Sequence, residues 1–191
     1  MTAITGVILA GGQSRRMGGE DKGLLLFHGQ PLYQHILQRL RPQVDRLLIS
    51  ANRNVEQYRR SGVAVVSDTL PDFPGPLAGV LSALRAIETD WAVFCACDTP
   101  FVPDDYVARL WQHKGLAPAA WVRSLQRDHP ALALVHRELA DTLEDYLLSG
   151  ERRLMQFLRQ QGGEAVIFRD DESAFSNINT PEDLARLERR S

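Results

Sequence analysis

Residues 4–22 read ITGVILAGGQSRRMGGEDK, and the fold follows from this stretch. Its first part is an apolar, β-branched run of the kind that forms a buried strand. The run ends in a loop, residues 11–22, that holds four glycines and three cations within twelve residues. Glycines let backbone N–H groups approach an anion closely, so this loop is predicted to bind phosphate as well as to turn the chain. The loop has neither the P-loop spacing of glycines nor the dinucleotide-binding spacing.

Short apolar runs alternate with amphipathic segments along the rest of the chain. Strands are predicted at 4–10, 46–51, 63–67, 91–97, 119–122, 131–135 and 164–168, and helices at 31–40, 77–87, 104–112, 139–148, 152–161 and 180–188. This alternation is typical of an α/β protein with a mostly parallel central sheet and helices on both faces. The run at 91–97 is apolar throughout, as expected of a strand covered on both faces.

Length, charge and cysteine content narrow the class of protein. A chain of 191 residues with 44% hydrophobic and 24% charged residues is expected to form one folded domain. Its formal charge of −2 argues against a nucleic-acid binder, and no apolar run reaches the ~18 residues of a membrane helix. No signal-peptide pattern opens the chain, so a cytoplasmic protein is predicted. Cys95 and Cys97 are interpreted as small buried residues, in preference to a disulfide or a zinc site.

Three polar residues, Asn52, Asp68 and Asp98, follow predicted strands where those strands end. Ligands of open α/β sheets bind outside the carboxyl ends of the strands, so these side chains are candidates for one site beside the glycine loop. Asp98 ends the most apolar strand, where a lone carboxylate is costly unless it is paired or bound to a cation. With phosphates opposite, Mg²⁺ is the natural bridge, because it binds one or two carboxylates together with phosphate oxygens.

Four further segments have roles that the residues alone leave open. PGPLAG at 74–79 suits either a rigid backbone against a flat base or a helix entry. NINTP at 177–181 suits either a ligand or a helix cap. RDHP at 127–130 and ERR at 151–153 suit either a second anion site or a solvated surface.

Together, these motifs resemble the molybdenum cofactor guanylyltransferases, the MobA family. The resemblance spans nearly the whole chain and rests on LAGGQSRRMG at 9–18 with Asp21 and Lys22, PGPLAG at 74–79, CDTPF at 97–101 and NINTPEDL at 177–184. It implies a single nucleotidyltransferase domain over 1–191, of three-layer, Rossmann-like form. Residues 1–105 would be its nucleotide-binding half and residues 106–191 its acceptor-binding half.

The resemblance also implies a reaction and residue roles. GMP would pass from GTP to the terminal phosphate of molybdopterin carrying molybdenum, with Mg²⁺ required and pyrophosphate released. The enzyme would be a monomer that hands its product to other cofactor-assembly proteins or to apo-molybdoenzymes. The implied catalytic residues are Arg16, Lys22 and Asp98, with Mg²⁺ on Asp98. The implied nucleotide contacts are Leu9, Ala10, Gly11, Gly12, Lys22, Asn52, Asp68, Gly79 and Asp98, with Gly79 near the guanine. The implied acceptor contacts are Arg127, Arg152, Arg153, Asn177 and Asn179.

Sequence features distinguish guanylyl transfer from two alternative functions. A related enzyme of the same fold would use CTP or a sugar-phosphate acceptor. The paired Gly11 and Gly12 and the PGPLAG segment favour GTP, because CTP-using relatives tend toward Leu-Ala-Ala-Gly. A non-catalytic, nucleotide-binding regulatory domain would need neither Lys22 nor a metal-binding carboxylate, so the presence of both Lys22 and Asp98 favours an enzyme.

Overall fold

The structure is a computed structural model that describes residues 2–10, 21–68, 76–178 and 180–190. The strands in these ranges are β1 (Ile4–Leu9), β2 (Leu26–Phe27), β3 (Gln30–Pro31), β4 (Arg46–Ser50), β5 (Ala64–Val66), β6 (Trp91–Ala96), β7 (Ala119–Arg123), β8 (Asp128–His136) and β9 (Glu164–Ile167). Strands β2 and β3 form a small separate hairpin. The others form one sheet in the order β5–β4–β1–β6–β8–β7–β9, which is parallel except at the two pairings of β8.

Helices cover both faces of this sheet. They are α1 (Leu32–Leu40), α2 (Val55–Arg59), α3 (Pro76–Ala86), α4 (Tyr106–His113), α5 (Ala140–Leu148), α6 (Leu154–Gln160) and α7 (Pro181–Arg190). Helices α3, α5 and α6 pack on one face, and α1 and α4 pack on the other. Val7 and Ile8 are adjacent in β1 and are fully buried on opposite faces, which explains why this strand is apolar at successive positions. The predicted three-layer α/β fold is thus confirmed.

The structure adds elements that the sequence patterns do not predict. Every predicted strand and helix has a counterpart, but the hairpin of β2 and β3 and the helix α2 are new. The hairpin strands have two residues each, and Tyr58 is the one buried residue of α2, so neither element produces a periodic apolar pattern. None of the helices in the described ranges combines the length and the apolar character needed to cross a membrane.

Strand β8 begins at Asp128, earlier than the predicted start at residue 131. Its register against β7 jumps, because Ala133 faces Trp121 whereas His129 faces Val122. The intervening residues of β8, which include a proline, therefore form a bulge. Proline is disfavoured inside a regular strand but tolerated at a bulge. Because of this proline, the sequence pattern did not predict the first part of β8.

Most strands end at one edge of the sheet, which we call the carboxyl edge. Strands β1, β4, β5 and β6 are mutually parallel. Strands β6 and β7 are each antiparallel to β8, and β9 is parallel to β7, so β7 and β9 end at the same edge. Arg85 near the end of α3 pairs with Asp141 near the start of α5, so α5 runs back toward the carboxyl edge. The turn between α5 and α6 consequently lies at that edge too.

The ladder between β6 and β8 is short. It pairs Trp91–Val93 with Leu134–His136. At the next residue, the carbonyl of Phe94 accepts a 2.6 Å hydrogen bond from the hydroxyl of Tyr106 in α4. Burial raises the pKa of Tyr106, so this hydroxyl stays protonated and remains a donor. A side chain therefore takes the place of the neighbouring strand before β6 reaches the carboxyl edge.

Candidate functional site

Lys22 and Asp98 meet at the carboxyl edge across 76 positions of sequence. Lys22 begins a 3-10 turn, Lys22–Leu24, and Asp98 lies two residues after β6. Lys22 Nζ lies 3.4 Å from Asp98 Oδ2, and the two side chains are 21% and 15% exposed. The ion pair is thus partly buried but accessible to a ligand. It places a cation and a carboxylate in contact at the edge where ligands of open α/β sheets bind.

The residues after Asp98 join the end of β6 to the C-terminal segment. Thr99 is buried, and its hydroxyl lies 3.4 Å from Asp98 Oδ1 and 3.1 Å from Asn177 Oδ1. The N–H of Ile178 donates a 2.9 Å hydrogen bond to the carbonyl of Asp98. Asn177, predicted from the resemblance to contact the acceptor, therefore lies beside the residue predicted to bind the metal.

Asn52 and Asp68 form a reciprocal pair at the ends of β4 and β5. Asn52 Nδ2 donates to Asp68 Oδ2 at 2.6 Å, and the Asp68 N–H donates to Asn52 Oδ1 at 2.8 Å. Asn52 is exposed and Asp68 is half-buried, so the pair lies at the surface of the carboxyl edge. Both side chains are held in one orientation, with carboxylate and amide groups able to bond a nucleoside.

Gly79 brings α3 close to the strand ends. A Cβ at this position would lie 3.0 Å from Ser50 Oγ, 3.3 Å from Leu9 Cδ2 and 3.9 Å from Asp68 Oδ1. A larger residue would therefore require the Ser50 or Leu9 side chain to shift. The start of α3 is consequently held near the Asn52–Asp68 pair.

The backbone at the end of β1 is fixed by its neighbours. The carbonyl of Leu9 accepts a 3.1 Å hydrogen bond from the N–H of Cys97, and the N–H of Ala10 donates a 2.8 Å bond to the carbonyl of Ser50. These bonds join the ends of β1, β4 and β6. They hold Leu9 and Ala10 at the carboxyl edge, where the resemblance places nucleotide contacts.

The basic residues of the second half reach the same edge from two turns. Arg127 is exposed in the turn between β7 and β8. Arg152 and Arg153 lie in the turn between α5 and α6. Arg152 Nη1 donates to the carbonyls of Leu147 and Glu151 at 3.0 and 2.7 Å, so its guanidinium caps the end of α5. Arg153 is exposed at the start of α6.

The carboxylate of Asp98 suits a magnesium ion that substrate phosphates also bind. Within the described ranges, no three or more His, Cys, Asp or Glu side chains are grouped so as to hold a metal. Mg²⁺ does not need such a cage, because it commonly takes one or two carboxylates and completes its shell with phosphate oxygens and water. The partly buried Asp98 carboxylate fits this requirement.

The two cysteines are free and buried, as the sequence predicts. Burial raises the pKa of Cys95 and Cys97, so both remain neutral thiols. They act as small packing residues beneath the site.

Comparison with known proteins decides the family. Residues 6–166 match the MobA-like NTP transferase domain. The chain belongs to this family. It is 52% identical to the molybdenum cofactor guanylyltransferase of Serratia proteamaculans over 183 residues, which cover 96% of this chain and 93% of that protein. It is 48% identical to the protein of the same name from Yersinia pseudotuberculosis over 187 residues, or 98% and 96% of the two chains.

One solved structure agrees with this placement in the MobA-like family, and another shares the fold. The molybdopterin-guanine dinucleotide biosynthesis protein A of Archaeoglobus fulgidus superimposes with a TM-score of 0.77 at 26% identity, covering 97% of each chain. A 4-diphosphocytidyl-2C-methyl-D-erythritol synthase from Anaerococcus prevotii gives a TM-score of 0.77 at 11% identity, covering 99% of this chain and 96% of its own. The second likeness shows the fold alone. The family resemblance seen in the sequence is thus confirmed.

The MobA-like chain gathers its predicted site residues in two groups along the carboxyl edge. The group on the nucleotide-binding side is Leu9, Ala10, Lys22, Asn52, Asp68, Gly79 and Asp98. The group on the acceptor-binding side is Arg127, Arg152, Arg153 and Asn177. Asn177 joins the groups through Thr99, whereas the guanidinium of Arg152 bonds its own turn. Predictions on Gly11, Gly12, Arg16 and Asn179 lie outside the described residues.

Sequence reasoning missed three residues beside Lys22. Asp21 is buried, and it accepts hydrogen bonds from the Tyr58 hydroxyl at 2.6 Å and from Asn54 Nδ2 at 3.2 Å. The family motif contains Asp21, but the resemblance gave it no role. The position of this carboxylate directly before Lys22 is the sequence feature that could have identified Asp21. Tyr58 gave no signal, because it lies in the helix that the pattern did not predict.

Proposed function

We propose that this chain transfers GMP from GTP to the terminal phosphate of molybdopterin carrying molybdenum. The observation that carries the proposal is the Lys22–Asp98 pair at the carboxyl edge, in a chain 52% and 48% identical to proteins named molybdenum cofactor guanylyltransferase. Ligands of open α/β sheets bind at this edge. A cation and a carboxylate in contact there suit a triphosphate that brings a metal ion with it.

The proposed reaction is an in-line displacement at phosphorus. An oxygen of the acceptor phosphate attacks the α-phosphorus of GTP and forms the new P–O bond. The bond from the α-phosphorus to its bridging oxygen breaks, and pyrophosphate leaves with the electron pair. The acceptor phosphate is already ionised near neutral pH, since its second pKa is about 6. The protein therefore needs no general base for this step, and its tasks are to position the substrates and offset their charge.

Residues of the nucleotide-binding side divide these tasks. Lys22 donates to phosphate oxygens and offsets the charge that develops on the leaving pyrophosphate. Asp98 would hold Mg²⁺, which supplies charge neutralisation on the phosphate oxygens when it is bound. The Asn52–Asp68 pair orients the nucleoside. Further nucleotide contacts are proposed at Gly79, near the guanine, and at Leu9, Ala10, Gly11 and Gly12. Arg16 is proposed as a third catalytic residue, beside Lys22 and Asp98.

Residues of the acceptor-binding side would hold the pterin phosphate. Arg127 and Arg153 are exposed at the carboxyl edge, and a guanidinium binds phosphate with two parallel hydrogen bonds. Asn177 lies beside Asp98 and Thr99, where the two substrates would meet. Arg152 and Asn179 complete the proposed set.

Broader predictions accompany this function. The chain acts as a monomer in the cytoplasm, without nucleic acid or membrane. Its nucleotide-binding half spans residues 1–105, and its acceptor-binding half spans residues 106–191. Its product passes to other cofactor-assembly proteins or to apo-molybdoenzymes.

The decisive experiment measures pyrophosphate release from the purified protein with Mg²⁺, molybdenum-loaded molybdopterin and either GTP or CTP. Release that requires both GTP and the pterin is the expected result. Release with CTP alone would move the chain to cytidylyl transfer. The absence of release with either nucleotide would overturn the proposal and favour a sugar-phosphate acceptor or a regulatory nucleotide-binding role.

A further inference from the structure

Asp21 is a buried carboxylate directly before Lys22, with 7% of its surface exposed. Its Oδ1 accepts hydrogen bonds from the Tyr58 hydroxyl at 2.6 Å and from the Gly23 N–H at 3.1 Å, and its Oδ2 accepts one from Asn54 Nδ2 at 3.2 Å. An unsatisfied buried carboxylate would be strongly destabilising, and here three donors satisfy it. Two of these donors come from the segment around α2, so the carboxylate joins two separate parts of the chain.

Both donors from the α2 segment are well suited to hold the carboxylate. Tyr58 is fully buried, and burial raises its pKa, so its hydroxyl stays protonated and keeps donating. Asn54 precedes α2 and has a φ of 55°, a left-handed conformation that asparagine tolerates better than most residues. Asn54 also lies two residues after Asn52. The segment that would orient the nucleoside is thereby tied to the turn that carries Lys22.

Packing holds the same turn from both sides. A Cβ at Gly23 would collide with Tyr58 Oη and would lie 3.3 Å from Cys97 Cβ. Cys97 directly precedes Asp98. The turn is therefore wedged between α2 and the end of β6, and glycine is the residue that fits this close approach.

We propose that Asp21 and Tyr58 are positioning residues for Lys22. Their 2.6 Å hydrogen bond fixes the turn, so the ammonium of Lys22 is held beside Asp98 before substrate binds. A lysine side chain has many rotamers, and fixing its backbone lowers the entropy lost when it engages a phosphate. The kinetic consequence of this inference rests on the proposed guanylyl transfer, whereas the positioning itself is a property of the folded protein.

The first test observes Lys22 directly. The chain has two lysines, Lys22 and Lys114, so ¹³C-lysine labelling gives NMR signals from these two side chains alone. Tyr58→Phe is expected to shift the Lys22 side-chain signals and to leave those of Lys114 in place. Unchanged Lys22 signals would overturn the proposal.

The matched control is Tyr33→Phe. The Tyr33 ring lies 4.8 Å from the Tyr58 ring, and its hydroxyl donates to the carbonyl of Gln57 at 3.4 Å. This variant removes a hydroxyl from the same aromatic pair without removing a partner of Asp21. An equal shift of the Lys22 signals in Tyr33→Phe would contradict a specific role for Tyr58.

A second variant covers the case in which Tyr58→Phe does not fold. Asn54→Gly removes the other side-chain donor to Asp21, and glycine accepts the φ of 55° without strain. It is expected to shift the Lys22 signals as well. Signals that stay at their wild-type positions in this variant would count against the proposal.

The kinetic test is a double-mutant cycle. Tyr58→Phe is expected to lower kcat about tenfold with a smaller change in the KM for GTP, because small misplacements of a charge-stabilising group are costly. In a Lys22→Ala background, Tyr58→Phe should cause no further loss. Losses that multiply would mean that Tyr58 acts independently of Lys22. A wild-type protein that releases no pyrophosphate would refute the proposed function, while the NMR comparison would still decide the positioning.

Discussion

Lys22 Nζ lies 3.4 Å from Asp98 Oδ2, and each of these charges is the other's partner at the surface of the carboxyl edge. Removal of either one leaves its partner's charge partly buried, which carries a cost of its own. The pair also orients both groups before substrate arrives. Variants of either residue must therefore be assayed for stability as well as for turnover rate.

Asp98→Asn is expected to lower turnover by about a hundredfold or more, because the amide keeps the shape of the side chain but loses the anionic oxygens that a magnesium ion requires. Pyrophosphate release measures the effect. Asp104→Asn is the matched control, since Asp104 is an exposed carboxylate paired with Arg39. Near-normal turnover in Asp98→Asn would remove Asp98 from the proposed metal site.

Lys22→Ala is expected to lower kcat by about a hundredfold through loss of charge stabilisation on the leaving pyrophosphate. Its melting temperature should fall only modestly, because the Asp98 carboxylate loses its ammonium partner but keeps some contact with water at 15% exposure. Lys114→Ala serves as the control, since the Lys114 ammonium lies over the rings of Trp91 and Trp111, at 4.6 and 4.4 Å from their centroids. A Lys22→Ala protein that loses stability but keeps its rate would show that Lys22 is structural.

Gly79→Ala is expected to destabilise the fold by about 1–3 kcal/mol, the usual cost of overpacking. The added Cβ would lie 3.0 Å from Ser50 Oγ and 3.3 Å from Leu9 Cδ2. Urea unfolding measures the change. Combining Gly79→Ala with Ser50→Ala removes the nearest obstructing atom and should restore part of the lost stability. Wild-type stability in the single variant would show that α3 shifts without cost.

Arg153→Ala is expected to raise the KM for molybdopterin about tenfold, the loss of a single charged hydrogen bond, while leaving the KM for GTP unchanged. Arg153 is exposed, so stability should not change. Arg152→Ala should also lower the melting temperature, because the Arg152 guanidinium bonds the carbonyls of Leu147 and Glu151. Steady-state kinetics with each substrate varied in turn separate the cases. Equal increases in both KM values for Arg153→Ala would argue against a role confined to the acceptor.

The buried His129 predicts a pH dependence of stability. Burial lowers the pKa of His129, and Arg127 lowers it further, while Glu172 and Asp128 act in the opposite direction. The ring lies 3.0 Å from Ser124 Oγ. The unfolded chain binds the proton more readily than the folded chain does. The contribution of neutral, buried His129 to folding stability is therefore full above about pH 6.5, and it is lost as the pH falls through the lowered pKa.

The measurement is the melting temperature of wild type and His129→Gln between about pH 7.5 and 5.5. The wild-type value should fall more steeply with decreasing pH than that of the variant. The exposed His113 gives a control, and His113→Gln should follow the wild-type curve. Parallel curves for wild type and His129→Gln would contradict the prediction.

The sequence predicts elements where burial imposes a pattern. The run at 91–97 is apolar at every position because β6 is covered on both faces, and β6 forms as expected. Asn52, Asp68 and Asp98 could be placed together because parallel strands end at one edge. Helix α2 escaped prediction because Tyr58 is its one buried residue. The Asp21–Tyr58 contact depends on that helix, so no local pattern encodes it, and tertiary packing alone brings the two residues together.

With the Tyr106 hydroxyl bound to the end of β6, the sheet is held together unevenly at its two inner boundaries. Strands β1 and β6 pair along all six residues of each, whereas β6 and β8 pair along three before Tyr106 takes the Phe94 carbonyl. Fewer backbone bonds resist bending at the second boundary, which lies between the strands of the first half of the chain and those of the second. The sheet therefore resists bending less at β6–β8 than at the neighbouring β1–β6 boundary. Under the proposed function, a bend at this boundary would change the distance between the nucleotide-binding and acceptor-binding groups of residues.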